Sequence, residues 1–175
     1  MPSDTHTCCF FGYRVMNETE DLKIRLQKAV EMLITKEGVD TFLFGSKSRF
    51  NDLCREIVTK IKAKYSHIKC VYVRAEYPYI SDEYKSFLLK SYDETYYPEK
   101  IIDAGKSVYI QRNCEMINKS DFCIIYFDNQ YTLNNQKCGT KIALDYAIKK
   151  EKSIINVALA HGFSAHQQSA KNFEI

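Results

Sequence analysis

The sequence lacks several features that would assign it to a class of protein at once. Its apolar runs are far shorter than the about 20 residues that span a bilayer, and Met1–Asp4 has neither the basic nor the apolar segment of a signal peptide. The formal net charge is only +3, and the basic residues are mixed with acids, which argues against a nucleic-acid surface. No linker, repeat or low-complexity block divides the chain. We therefore expect one cytoplasmic domain over residues 1–175, with an ordered core over about 8–157 and a tail over 158–175.

The seven cysteines form no metal-site pattern. None belongs to a Cys-x-x-Cys pair, and the four histidines do not combine with them into a cluster, whereas a zinc site needs clustered ligands. Most fall within predicted strands or helices, where a thiol behaves as a small apolar side chain. We expect reduced thiols and no metal. Cys138 is the exception, because the start of a helix favours a reactive thiol; the alternative is an ordinary thiol beside a loop.

Strands and helices alternate along the chain. Short apolar runs predict strands at 8–12, 41–45, 69–73, 94–98, 120–128 and 153–157. Helical periodicity predicts helices at 17–38, 50–61, 82–90, 103–118 and 139–147. Strand-helix alternation of this length implies parallel β-α-β units. The predicted fold class is α/β, with a mostly parallel sheet of five to six strands in three layers.

Local signals place the helix ends and one buried face. Asn17 and Glu20 have the spacing of a capping box, Gly38 is typical of a helix C-terminal cap, and Ser81 is placed to cap the third helix. In the helix over 103–118, Ile110, Cys114 and Ile117 are predicted to share one apolar side.

The turns at the carboxyl ends of the predicted strands carry residues suited to an anion. Ligands of open parallel sheets bind at this edge, where the strand order reverses. Glycine allows close approach of the backbone, and Thr, Arg and Lys supply donors. The helix that begins with Gly139-Thr140 adds free N–H groups and a partial positive charge. We therefore predict a pocket for a phosphate-bearing ligand formed by Gly12, Tyr13, Arg14, Gly45, Ser46, Lys47, Arg49, Arg112, Asn113, Asp128, Gly139, Thr140 and Lys141.

Motifs at both ends of the predicted core resemble one known superfamily. The segment Cys8-Cys9-Phe10-Phe11-Gly12-Tyr13-Arg14 is similar to an opening Cys-x-Phe-x-Gly-His-Arg, and the second half adds Arg112-Asn113, Met116-Ile117, Ser120-Asp121, Gly139-Thr140, Tyr146-Ala147 and Ile155-Asn156. Together they resemble the YpsA-like branch of the SLOG superfamily. This resemblance implies a Rossmann-like, doubly wound fold that binds nucleotides or nucleotide-derived ligands. Several members are thought to be sensors or parts of stress and phage-defence systems.

The chain also departs from that pattern. Tyr13 replaces the usual histidine, which removes any role for an imidazole there. The turn after the second strand keeps one glycine, Gly45, and gains Lys47 and Arg49 where the family usually has a second glycine and no cations. Cys138 stands where glycine is frequent.

The residue expected to carry catalysis in related branches is missing. The LOG-type phosphoribohydrolases and nucleoside deoxyribosyltransferases have a Glu four residues after the glycine of their Gly-Thr motif, and Ala143 occupies that position here. We predict a binder or sensor of a nucleotide or ADP-ribose-like ligand without catalysis. Asp128 and Glu76 could still reach the crevice, so an N-glycosidase or phosphoribohydrolase is the alternative, and a scaffold that has lost its ligand is a third.

The partners follow from the same argument. We expect a nucleotide-derived small molecule as the ligand, with no further cofactor, no membrane and no nucleic acid, and self-association into a homo-oligomer is compatible with the sequence.

Overall fold

An all-parallel β-sheet forms the centre of the protein. The structure is a computed structural model that describes residues 5–128 and 138–158. In these residues the sheet has six strands: β1 (His6–Phe11), β2 (Val39–Phe44), β3 (Lys69–Val73), β4 (Glu94–Tyr96), β5 (Phe122–Ile125) and β6 (Ser153–Asn156). Their order is β4-β3-β2-β1-β5-β6. The strand order therefore reverses at the β1–β5 pair, where Cys9 is aligned with Cys123.

Helices cover both faces of the sheet. They are α1 (Glu20–Glu37), α2 (Arg49–Lys62), α3 (Asp82–Leu88), α4 (Val108–Asn118) and α5 (Gly139–Lys149), with single 3₁₀ turns at Glu99–Ile101 and Gly105–Ser107. The pair α1 and α2 packs on one face, and the pair α4 and α5 packs on the other. The predicted class, a Rossmann-like α/β fold in three layers with a doubly wound sheet, is confirmed.

Strand β1 is apolar on both sides because both of its faces are covered. Cys8 and Phe10 belong to the core under α1 and α2, while Cys9 and Phe11 belong to the core under α4 and α5. Alternate residues of a strand point to opposite faces, so a doubly covered strand reads as a continuous apolar run. Burial of each large side chain contributes about 1.5–3 kcal/mol.

The two cores differ in the size of their side chains. Under α1 and α2, the ring of Phe10 stacks on those of Phe42 and Phe44, with centroids 5.9 and 5.0 Å apart. Under α5, the helix contributes the small residues Ala143 and Ala147 to the core.

None of the helices in the described residues combines the length and the apolar character that crossing a membrane requires.

The helix caps agree with the sequence in part. Gly38 has φ of 67°, and its N–H donates to the carbonyl of Leu33, which confirms the predicted C-terminal cap of α1. The predicted cap at Asn17 is wrong. The hydroxyl of Thr19 accepts from the N–H of Leu22 at 3.1 Å, so the helix begins two residues later than a capping box from Asn17 requires. The predicted Ser81 cap is confirmed by the N–H of Tyr84, 3.2 Å from its hydroxyl.

The fourth helix differs most from its prediction. It begins at Val108 rather than near residue 103, because Gly105 has φ of 58° and starts a 3₁₀ turn instead. Its buried residues are Arg112, Met116 and Ile117, whereas Ile110 is 42% exposed. The prediction is therefore wrong for Ile110 and right for Ile117, and a charged residue lies on the buried side. The prediction for the tail falls mainly on residues 159–175, which lie outside the described residues.

Candidate functional site

A cavity of about 590 Å³ lies at the carboxyl edge of the sheet. It is formed by the ends of β1, β2 and β3, by α4 and by the start of α5. Its lining is Phe11, Gly12, Tyr13, Arg14, Gly45, Ser46, Lys47, Tyr72, Ala75, Glu76, Tyr109, Ile110, Arg112, Asn113, Cys138, Gly139 and Thr140. Turns that are remote in sequence therefore meet at the edge where the sequence predicts a ligand.

Most of the predicted site residues line this cavity. Those that do are Gly12, Tyr13, Arg14, Gly45, Ser46, Lys47, Arg112, Asn113, Gly139 and Thr140. Arg49, Asp128 and Lys141 are not part of its lining.

Arg112 is the buried cation of the cavity. Its residue is only 4% exposed, and its guanidinium donates to the carbonyl of Val73 at 3.1 Å and to Asn113 Oδ1 at 2.9 Å. Both acceptors are neutral, and no carboxylate of the described residues forms an ion pair with it. Burial lowers the pKa of Arg112, yet a guanidinium stays charged at neutral pH. The positive charge at the cavity wall therefore has no hydrogen-bonded carboxylate among the described residues, and the charge of Glu76 acts on it only through space.

The start of α5 also faces the cavity. The Sγ of Cys138 accepts from the N–H of Lys141 at 3.3 Å, and the carbonyl of Cys138 accepts from the N–H of Ile142. The N–H groups of Gly139 and Thr140 have no hydrogen-bond acceptor among the described residues. A helix N-terminus carries a partial positive charge. Within the described residues nothing competes for these two donors, which suit an anion in the cavity.

Glu76 introduces a negative charge on the β3 side of the cavity. Its Oε1 accepts from Lys47 Nζ at 2.6 Å and from the hydroxyl of Tyr109 at 3.2 Å. The hydrogen bond from Lys47 lowers the pKa of the Glu76 carboxyl, and the same bond raises the pKa of Lys47. Both groups are therefore charged at neutral pH.

Tyr13 connects two loops rather than presenting a free hydroxyl. The hydroxyl donates to the carbonyl of Asp128 at 2.9 Å and accepts from the N–H of Asp128 at 3.0 Å. Desolvation raises the pKa of Tyr13. Tyr13 thus joins the end of β1 to the segment after β5, and only its ring is left to contact a ligand.

Arg49 is held away from the cavity. Its guanidinium donates to both oxygens of Glu18, at 2.6 and 2.7 Å, and to Glu56 at 3.0 Å. This bidentate pair ties the loop before α1 to the start of α2. Lys141 likewise pairs with Asp145 on its own helix.

The glycines that line the cavity differ in how much space a side chain would have at each position. A Cβ at Gly12 would lie 2.3 Å from the ring of Phe50, and one at Gly45 would lie 2.9 Å from Arg112 Nη1. A Cβ at Gly139 would meet no atom of the described residues within 4 Å. Packing against Phe50 therefore requires the glycine at position 12, whereas a side chain at Gly45 would displace the ends of the Arg112 and Met116 side chains. At Gly139 no described residue occupies the space above the backbone.

Sequence reasoning missed part of the lining. Tyr72, Ala75, Tyr109 and Ile110 were not predicted, and Glu76 appeared only as an alternative carboxylate. The rule that strand ends meet at one edge covers Ala75 and Glu76, which follow β3 directly. Tyr109 and Ile110 lie in the first turn of α4, so a correct prediction of where this helix begins would have indicated them as lining residues.

The described residues hold no cluster of three or more His, Cys, Asp or Glu side chains arranged for a metal ion. The seven cysteines are free thiols, and the closest pair, Cys9 and Cys123, is buried with its sulfurs 3.5 Å apart.

The fold and the cavity define the class of protein: a Rossmann-like α/β protein with a cavity at the carboxyl edge of its sheet. No protein-family model and no curated protein sequence matches the chain. Among solved structures, the chain is similar to the molybdenum cofactor binding protein from the phototrophic bacterium Rippkaea orientalis, with 16% identity and a TM-score of 0.50 over 86% of this chain and 74% of that chain. It is also similar to the molybdenum cofactor carrier protein from Chlamydomonas reinhardtii, with 13% identity and a TM-score of 0.49 over 86% and 74%. The likeness to the bacterial protein supports the fold and does not extend to a function.

Proposed function

We propose that the cavity binds a phosphate-bearing, nucleotide-derived small molecule, such as an ADP-ribose-like ligand, and that the protein is a cytoplasmic binder or sensor that does not convert it. The observation that carries this proposal is the buried guanidinium of Arg112, which forms no ion pair at contact distance with any described residue.

A buried charge is costly unless it is paired. Arg112 is desolvated, and its two observed hydrogen bonds go to neutral oxygens. An anion in the cavity would give the guanidinium a hydrogen-bonded ionic partner, and it would also accept from the N–H groups of Gly139 and Thr140, which line the same space. Phosphate suits this combination because it offers several acceptor oxygens in different directions.

The absence of catalysis is inferred from the carboxylates. Ala143 occupies the position of the family glutamate, and it is 2% exposed in the core beneath α5. The helix therefore offers no carboxylate at that position, and the nearby Asp145 is paired with Lys141. The proposal also agrees with the resemblance to the YpsA-like branch, whose assignment to this chain stays a prediction.

One observation favours a second function, N-glycosidic cleavage. Glu76 lies in the lining, and a carboxylate beside a ribose can act as nucleophile or base. Its hydrogen bonds to Lys47 and Tyr109 keep it ionised and hold one oxygen. We place this function second because the described lining provides no further carboxylate to protonate the leaving base.

Thermal unfolding with ADP-ribose, AMP and cyclic AMP tests the proposal. A ligand at 100 times its Kd adds about 2.7 kcal/mol to the free energy of unfolding, and chromatography of the same samples should show no free base and no ribose phosphate. The bacterial neighbour binds the molybdenum cofactor, so that cofactor is a further ligand for the same measurement. The variant Arg112→Met should lose the stabilisation. Arg74→Met is the matched control, since Arg74 is also an arginine whose hydrogen bonds go to neutral oxygens but lies outside this cavity.

Two results would contradict the proposal. If none of these ligands stabilises the protein, or if Arg112→Met and Arg74→Met respond alike, the cavity is not the anion site. Release of a free base that disappears in Glu76→Gln would replace the binding function with the N-glycosidase.

A further inference from the structure

We propose that Glu76 makes the cavity selective for a ribose, by accepting hydrogen bonds from the 2′- and 3′-hydroxyls of a nucleotide whose phosphate lies against Arg112. This inference rests on the proposed function and adds to it the chemical group that the cavity distinguishes.

The position of the carboxylate is set by three elements. Lys47 from the loop after β2 and Tyr109 from α4 both donate to Oε1 of Glu76. The neighbouring Ala75 is 4% exposed, and the N–H of Arg74 donates to the carbonyl of Tyr96 at 2.8 Å, so the backbone before Glu76 is anchored to the sheet. A carboxylate held in this way is pre-organised, which reduces the entropy lost when a ligand binds.

The second oxygen of the carboxylate is available to a ligand. Oε2 makes no hydrogen bond to any described residue, and the side chain is 28% exposed. A carboxylate accepts hydrogen bonds and donates none. Its ligand partner must therefore be a donor, such as a hydroxyl.

Glu76 contrasts with the rest of the polar lining. Arg112, Arg14 and the N–H groups of Gly139 and Thr140, which have no acceptor among the described residues, are all donors, whereas Glu76 is the one carboxylate in the lining provided by residues 5–128 and 138–158. Donors alone would hold inorganic phosphate as well as a nucleotide. A fixed negative charge in the same cavity disfavours additional anionic oxygens and favours hydroxyls.

The surface beside Glu76 suits the remainder of a nucleoside. Tyr109 is 50% exposed and Ile110 is 42% exposed, and both line the cavity. Tyr109 lies one helical turn before Arg112, with the guanidinium carbon 6.0 Å from its ring centroid. An exposed ring and an aliphatic side chain provide the kind of apolar contact that a base uses, and about 590 Å³ falls within the range of small-molecule pockets.

Calorimetry with three probes tests the inference: AMP, 2′,3′-dideoxy-AMP and inorganic pyrophosphate. Hydrogen bonds to a charged group predict that the full-length protein binds AMP about tenfold more tightly than the dideoxy analogue. Glu76→Gln keeps the shape but removes the charge, and it should reduce this preference to about twofold or less. The same variant should bind pyrophosphate as tightly as the unchanged protein or more tightly, because the repulsion is gone. Glu56→Gln is the matched control, since Glu56 also pairs with a cation but lies outside the cavity.

The outcomes separate this inference from the proposed function. If pyrophosphate and the dideoxy analogue bind, lose affinity in Arg112→Met, and AMP binds no better than the analogue, the selectivity for ribose is wrong while the anion site stands. If Glu76→Gln strengthens AMP and its analogue equally, Glu76 is only a counter-ion of Lys47, which also overturns the inference. If no probe binds to any variant, both proposals fail.

Discussion

Helices α2 and α5 begin at the same edge of the sheet, but within the described residues their first N–H groups differ in whether they have hydrogen-bond acceptors. At α2, the N–H of Arg49 donates to the carbonyl of Arg14 at 3.1 Å, and that of Phe50 donates to the carbonyl of Tyr13 at 3.5 Å. The next N–H is capped by the hydroxyl of Ser48. At α5, the corresponding first N–H groups have no acceptor in the described part of the chain.

The difference shows that a helix N-terminus at a ligand-binding edge is not by itself an anion site. Every helix leaves its first N–H groups unsatisfied, and the loop after β1 already satisfies those of α2. The bidentate pair between Arg49 and Glu18 holds this loop in place. An anion at the edge is therefore expected at α5 and not at α2.

The largest predicted effect concerns the glycines next to these two helices. Gly12→Ala places a methyl group 2.3 Å from the ring of Phe50, the second residue of α2. Such overpacking costs about 2–3 kcal/mol in the free energy of unfolding, measured by urea denaturation. Gly139→Ala at the start of α5 meets no atom of the described residues within 4 Å, and we expect a change below about 0.5 kcal/mol.

These two alanine variants form a matched pair, because each adds one methyl group at the same edge of the sheet. Equal losses of stability would show that protein atoms fill the space at the start of α5 as they do at the start of α2. The proposed difference between the two helix N-termini would then be wrong.

The second prediction tests the charge opposite α5. Arg112→Met removes the buried guanidinium, and loss of charge-assisted hydrogen bonds should weaken AMP binding by about 2 kcal/mol, or about thirtyfold. Arg112→Lys keeps the charge but not the planar fork, so its loss should be smaller. Calorimetry measures both affinities, and circular dichroism checks that the variants are folded. Unchanged AMP affinity in Arg112→Met would place the phosphate elsewhere.

Much of the fold could be predicted from the sequence because its signals are local. The strand over Lys69–Val73 has its predicted bounds, and Gly38 ends α1 through a left-handed conformation that glycine favours. The start of α4 could not be predicted, because helical periodicity continues through the 3₁₀ turn at Gly105–Ser107. The prediction that Ile110 lies on the buried side of α4 was also wrong. Arg112 is buried there instead, and a pattern of apolar residues does not predict a buried arginine.

The candidate site could be predicted only at the level of loops. The rule for parallel sheets brings the turns after β1 and β2 and the start of α5 to one cavity, as the structure shows. It cannot say which side chains are already paired. Arg49 and Lys47 look equivalent in sequence, but the carboxylates that hold them, Glu18 and Glu76, come from different loops. Such pairings depend on tertiary contacts that no local pattern encodes.

The third prediction concerns the caps of the two helices. Ser48 is 1% exposed, and its hydroxyl accepts from the N–H of Asn51 at 3.1 Å. Ser48→Ala should lower the free energy of unfolding by about 1 kcal/mol and leave AMP affinity unchanged. At α5 the cap is the sulfur of Cys138, a weak acceptor, so Cys138→Ser should raise stability by about 0.5 kcal/mol. Weaker AMP binding in Ser48→Ala would mean that the start of α2 also contributes to the ligand site.

The smallest effect is expected for the ion pair between Arg49 and Glu18, which holds the loop after β1 against the start of α2. The hydrogen bond from Arg49 lowers the pKa of the Glu18 carboxyl. A group with a lowered pKa stabilises the folded protein above its unfolded value, about 4.3 for Glu, and the contribution is lost as the pH falls through the folded value. Because both side chains are partly exposed, Glu18→Gln should cost only about 0.5 kcal/mol at pH 7, and urea denaturation at acid pH should bring the variant and the unchanged protein together. The difference in stability between Glu18→Gln and the unchanged protein could instead persist below the folded pKa. In that case packing and backbone hydrogen bonds hold the loop after β1 against the start of α2, and the charge of Glu18 does not contribute.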